Sequence, residues 1–208
     1  MAGGDHAEAE AVLVLPSEPR PVRLMNTIWA DRDGVHDSLT TSADLARWLQ
    51  ATGLALDEPS VGTTDLRAAL ALRDALRRLA ALRTRDARPA ARSATQDLDV
   101  AVRVINETAA AGPPRDALHV VGEELHLRPT VPTTDSTAAL AAVAAESIAL
   151  LTAPGTVLNA CHAPGCVLYF VKDHPRRGWC STACGNRARA ARHYRRHHPI
   201  ADAAADPS

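Results

Sequence analysis

The sequence predicts a mainly α-helical protein with a small β-hairpin, in which a helical N-terminal part is followed by a short module of different character. Three observations support this. Ala and Leu dominate the apolar residues, while aromatics make up only 3% of the 208 residues, a mix that favours helices over sheets. Apolar residues recur at three- and four-residue spacing in several segments. All four cysteines fall between Cys161 and Cys184. The length suits one principal core with a small appendage.

Residues 1–20 are rich in Ala, Gly, Glu and Pro and are expected to form a poorly ordered leader. They lack a positively charged start, and the apolar run Ala11–Leu15 is too short for a signal peptide or a membrane span. This points to a cytoplasmic protein. A helical domain is expected over 21–155. Leu24–Trp29 reads as a short helix or strand closed by a turn at Asp31–Gly34. Thr41 and Asp44 have the form of a capping pair, Leu45, Trp48 and Leu49 make an apolar stripe, and Gly53 supplies a stop.

From Thr64 onward, Leu66, Ala69, Leu70, Arg73, Leu76, Leu79 and Ala80 recur at helical spacing, with Arg and Asp on the opposite side. Residues 84–97 break that helix. Leu98, Val102, Ile105 and Ala109 mark another, which ends near Gly112. Two alternating runs around Gly122 and Glu123 predict the hairpin. A capped apolar helix follows, with Leu140, Val143, Ala144, Ile148 and Leu151 on one face.

Net charge near zero conceals an asymmetry. From Cys161 to His198, eight Lys or Arg face one acid, Asp173, giving +7, while the remaining chain carries −8. A basic tail on an acidic body suggests that the tail faces a polyanion.

The thiols are arranged as Cys161-x4-Cys166-x13-Cys180-x3-Cys184. Two close pairs joined by a longer loop suit tetrahedral Zn²⁺, and a reducing cytoplasm disfavours structural disulfides. Pro164 and Gly165 allow a tight turn within the first pair, "VLYFVKD" reads as a strand, and Cys184 sits near a helix start. Knuckle, hairpin and helix together describe a C-terminal treble-clef-like zinc finger over 156–198 holding one structural zinc, with a disordered tail over 199–208. Unrelated buried thiols, a redox pair and a catalytic zinc are the competing readings. His162, His174 or His193 could also replace a cysteine.

On the helix after Cys184, Arg189, Arg192, His193 and Arg196 share one face, and Arg195 lies on its flank. Tyr194 adds a phenol able to bond a phosphate or stack on a base. No acid balances these arginines within the helix, so a solvated amphipathic helix is the plainer alternative to nucleic-acid binding. Arg187, Lys172, Arg176 and Arg177 complete the candidate nucleic-acid-binding set.

The stretch "CGNRARAARHYRRH" resembles the CGNR zinc-finger family, whose name is the motif Cys184, Gly185, Asn186 and Arg187. "CHAPGC", the pair Tyr169–Phe170, Asp173 and "RRGWC" extend the resemblance. Upstream, "LMNTIWADRDG", "DLARWL" and "LRAALALRDALRRL" are similar to the ABATE domain that accompanies this finger and is described as a stress-induced transcription regulator. Together the resemblance covers about residues 20–198. It implies a bacterial DNA-binding regulator in which four cysteines hold zinc and the arginine-rich helix meets DNA. This chain departs from many members in placing three residues, not four, between its last two cysteines.

Within the motif, Gly185 allows close backbone approach beside the metal, Asn186 can cap or bond the knuckle backbone, and Arg187 either meets phosphate or pins the finger to the body. The acidic helical domain is the candidate sensor. Asn26, Thr27, Trp29, Arg73 and Asp74 are polar or aromatic groups within or near apolar segments, a mixture able to line a small-molecule effector pocket, with core trim and surface ion pairs as the alternative. No nucleophile–base pair, phosphate loop or HExxH motif argues for an enzyme. A single short recognition helix contacts few base pairs, so a homodimer formed through the helical domain is a further expectation. The alternatives to a DNA-binding regulator are a protein-interaction module with a purely structural zinc, and an RNA binder.

Overall fold

The structure, a computed structural model, describes residues 14–54, 60–89, 92–112, 117–121, 124–128, 135–155 and 157–197. It is mainly α-helical, as expected. In chain order the elements are α1 (Arg20–Met25), β1 (Ile28–Ala30), β2 (Val35–Asp37), α2 (Ser42–Ala51), α3 (Thr63–Thr84) and α4 (Leu98–Ala110). β3 (Ala117–Val121), β4 (Glu124–Arg128), α5 (Ser136–Thr152), β5 (Leu158–Ala160), β6 (Tyr169–Val171) and α6 (Thr182–His197) follow.

The anticipated hairpin is β3–β4, paired antiparallel from Ala117↔Arg128 to Val121↔Glu124. Two further short antiparallel ladders, β1–β2 and β5–β6, are present among the described residues. β6 lies within "VLYFVKD", the stretch read as a strand, while the three-residue β2 and β5 are too short to show alternation in the sequence. The segment Leu24–Trp29, read as helix or strand, contains both: α1 ends at Met25 and β1 starts at Ile28.

Local chemistry fixes the helix ends. Thr41 and Asp44 form a reciprocal capping box on α2, and Gly53 takes φ +70° just beyond it, a backbone conformation glycine enters without a Cβ clash. Asp97 caps α4 by accepting from the Val100 N–H, and Asp135 caps α5 through the Thr137 N–H.

The core lies where α3 packs against α1, α2, α4 and α5. Leu45, Trp48 and Leu49 enter it as the stripe anticipates, joined by Val22, Leu24, Leu72, Leu76, Leu140 and Val143. Three details depart from the sequence reading. On α4 the buried face is Ala101 and Ile105, while Val102 is exposed. On α5, Ser147 is buried in place of Ile148, its hydroxyl donating to the Val143 carbonyl. On α3, Arg77, one of the arginines assigned to the polar side, is fully buried. Its guanidinium donates to the Met25 carbonyl at 2.9 Å and lies 5.3 Å from the Tyr169 ring centroid, which gives the charge partners inside the core.

Strand β6 is bound on both edges. One edge pairs with β5, in the register Leu158↔Val171 to Ala160↔Tyr169. The other is served by side chains: Asn26 meets the Tyr169 backbone, Glu18 accepts from the Val171 N–H, and Arg177 donates to the Val171 carbonyl. The leader expected over 1–20 therefore ends earlier than its composition suggests. Residues 1–13 lie outside the described residues, but Glu18 is buried and carries an ion pair with Arg177. The expected tail at 199–208 also lies outside the described residues.

Candidate metal centre and basic helix

The cysteine knuckle is the turn of the β5–β6 hairpin. The Cys161 N–H donates to the Leu168 carbonyl and the Cys166 N–H to the Ala163 carbonyl, both at 2.9 Å. Gly165 takes φ +73° between them, which a β-carbon would strain. The second pair is set by the start of α6. Ser181 accepts the Cys184 N–H on its hydroxyl at 3.2 Å and the Gly185 N–H on its carbonyl, so Cys184 lies one turn from Cys180.

All four thiols are buried and their sulfurs lie within 4.8 Å of one another. Cys166 and Cys180 sulfurs are 3.8 Å apart, and Cys180 and Cys184 sulfurs 3.4 Å. A tetrahedron with Zn–S of ~2.3 Å has an edge of about 3.8 Å, so the donor set fits one structural zinc. The electrostatics agree. Hydrogen bonds from Cys166 and Cys180 hold the Cys161 thiol down to about 2, and the bond to Cys161 pushes Cys166 up to about 12 and Cys180 upward as well. Four crowded sulfurs cannot all carry charge alone; a divalent cation offsets that repulsion. His162 and His174 are exposed and stand outside the four-sulfur cluster, as does His193.

The surroundings of the site come from both halves of the chain. Arg88, in the α3–α4 connection, donates to the carbonyls of Cys161 at 2.7 Å and Cys166 at 2.6 Å, and is itself held by the buried Asp86 carboxylate. Arg77 reaches the Val167 carbonyl from α3. Nothing in the spacing of residues 84–97 signalled this role, since two residues over seventy positions upstream can be brought to a knuckle only by the fold.

A family model described as "ABATE: Putative stress-induced transcription regulator" matches residues 18–154, about two thirds of the chain. The chain belongs to the ABATE family. A second model, the CGNR zinc finger, matches residues 158–197, the stretch from β5 to the end of α6. No curated protein matches the chain. The ABATE domain is thus the helical body built on α3, and the CGNR finger is the hairpin, its cysteines and α6. By these descriptions the chain is a zinc-binding member of a family assigned to transcription regulation.

Within the CGNR motif, Gly185 faces the Trp179 ring, and a Cβ there would stand 3.1 Å from Trp179 Cδ1. The aromatic ring therefore makes the close approach that the sequence reading placed at the metal. Asn186 accepts from Arg189 on the helix surface and does not bond the knuckle backbone. Arg187 donates to the Cys184 sulfur at 2.9 Å, and that bond raises its pKa above the ordinary arginine value.

The other candidate cations divide into two groups. Arg189, Arg192, His193, Arg195 and Arg196 are exposed on α6, and Lys172 and Arg176 are exposed on the loop before it. Arg177 is engaged by Glu18 of the helical part and, within the finger, by the Val171 and Cys180 carbonyls and the Phe170 ring 5.0 Å away. The five residues expected to line an effector pocket also have partners. Asn26 pairs with Tyr169, Arg73 donates to Thr27, Asp37 and Asp74, and Trp29 stacks on His36 with centroids 4.4 Å apart. No described helix is long and apolar enough to cross a membrane.

Proposed function

We propose that the chain is a zinc-dependent DNA-binding transcription regulator whose α6 lies against the phosphate backbone. One observation carries this reading. From Arg189 to His197 every residue is exposed except the half-buried Ala191, so the second half of α6 presents four arginines, two histidines and no acid to solvent. A helix without an apolar face gains nothing from its own fold there, and like charges at helical spacing repel unless an anion compensates. The same repulsion disfavours pairing α6 with a second copy, which leaves any homodimer to the ABATE domain. Binding, not catalysis, is the proposed activity, and the cytoplasm its setting.

Fluorescence anisotropy of a labelled DNA duplex with the zinc-loaded full chain tests this. Affinity should fall steeply with salt, with a slope set by about 3–6 neutralised phosphates. Arg192→Ala with Arg196→Ala should lower that slope by about two. Absence of binding at low salt, or binding indifferent to salt, would falsify the proposal. Preference for single-stranded RNA over duplex DNA would move the assignment to an RNA binder.

A further inference from the structure

A cavity of about 750 Å³ opens where the two matched regions meet. Its walls are the end of α3 (Leu79, Leu82, Arg83, Thr84, Arg85), Leu151 near the end of α5, strand β5 and His162 of the knuckle. This lies away from the residues in which the sequence reading sought an effector pocket. The volume falls within the range of small-ligand sites, roughly 300–1,000 Å³.

The lining is chemically divided. Leu79, Leu82, Leu151 and Leu158 offer an apolar surface, and Leu82 is 55% exposed there. Two arginines and a histidine, with Thr84 and Asn159, supply the polar side, with no carboxylate among the lining residues. Arg83 is committed to the wall, donating to the Ala153 and Gly155 carbonyls. Arg85 holds φ +55° as α3 ends, and its guanidinium makes no hydrogen bond or ion pair among the described residues. The neighbouring acid, Asp86, is neutralised by Arg88 through both carboxylate oxygens.

We infer that this cavity binds a small organic carboxylate with an apolar body, the carboxylate against Arg85 and His162 and the body over the four leucines. The same walls continue into the zinc site. Three residues beyond Arg85, Arg88 holds the Cys161 and Cys166 carbonyls, and His162 directly follows Cys161. Occupancy of the cavity therefore bears on the segment that positions the knuckle, which makes it a route from a ligand to the finger. The inference does not depend on what α6 binds.

Isothermal titration of the zinc-loaded full chain with 3-phenylpropanoate and with octanoate tests it, with 3-phenylpropan-1-ol as the uncharged match. The expected result is saturable binding at one site, about tenfold weaker for the alcohol, because the charge-assisted bonds are lost. Arg85→Gly should weaken the acids by a similar factor without lowering the melting temperature, since glycine suits the positive φ. Leu82→Glu, on an exposed helical position, should abolish binding by placing a like charge in the cavity. Saturable binding by neither acid, or binding that both variants leave unchanged, overturns the site. Zinc release to a chromophoric chelator should slow when 3-phenylpropanoate is bound, and not in Arg85→Gly; an unchanged rate in the wild type overturns the route to the finger.

Discussion

The Asn26 side chain pairs with the backbone of Tyr169 in both directions, its Nδ2 donating to the carbonyl at 2.9 Å and its Oδ1 accepting the N–H at 3.0 Å. An amide is the one neutral side-chain group that can imitate a neighbouring strand in this way. The pairing fastens the finger's β6 to the end of α1, and both partners are buried.

Asn26→Ala should therefore leave two buried backbone groups unpaired and cost about 2–4 kcal/mol. Asn26→Asp should not restore the loss, because a carboxylate cannot donate to the Tyr169 carbonyl. Urea denaturation of the zinc-loaded protein measures both, and a loss for Asn26→Ala below about 0.5 kcal/mol would contradict the assigned role.

Arg88→Ala should lower zinc affinity by about tenfold or more, as removal of an outer partner of a metal ligand commonly does. Competition with a chelator of known affinity reads this directly. Arg88→Lys keeps one charge but loses the fork that spans two carbonyls and Asp86, so it should recover only part of the loss. Affinity equal to wild type in both variants would show that Arg88 merely fills the loop.

Gly112 is placed by packing. A Cβ there would overlap the Ala141 Cβ of α5, which cannot move without shifting that helix. Gly112→Ala should cost about 1–3 kcal/mol. Adding Ala141→Gly should recover part of that loss despite glycine's poor helix propensity. Thermal melts of the two single variants and the double variant give the coupling, and strictly additive losses would argue against the clash.

Asp65 predicts a pH dependence. Its carboxylate accepts from the Ser136 hydroxyl and from the Gly62 N–H, each at 2.7 Å, and the pair holds its pKa below the usual value, the serine contributing most. A depressed folded-state pKa means stability that is present above the unfolded value near 3.8 and lost as pH falls through the folded one. Asp65→Asn should thus cost about 1 kcal/mol at neutral pH, a modest figure because the group is only half-buried. The difference from wild type should shrink below about pH 4, and a difference that stays constant from pH 7 to pH 3 would refute the assignment.

Much of the helical body was legible because its signals are local. The Thr41–Asp44 box, the Leu45–Trp48–Leu49 stripe and Gly53 each depend on residues within one or two turns, and the structure reproduces them. Where long-range partners intervene, periodicity misleads. Arg77 reads as a surface residue until Met25 and Val167 supply its acceptors, and Val102 reads as core until α4 turns Ala101 and Ile105 into the core instead.

The sulfurs suited to hold the metal are marked by local spacing alone. Four thiols in two close pairs admit few other uses, and their spacing already contains the turn and the helix start that bring them together. That this centre is shared between the finger and the helical body follows instead from long-range packing. Asn26, Arg77 and Arg88 each lie more than seventy residues before the finger backbone groups they serve, and hydrogen bonds at that separation leave no periodic trace in a chain. A local pattern records what a segment will form, whereas the partner of a buried polar group is set by which surfaces the core brings into contact.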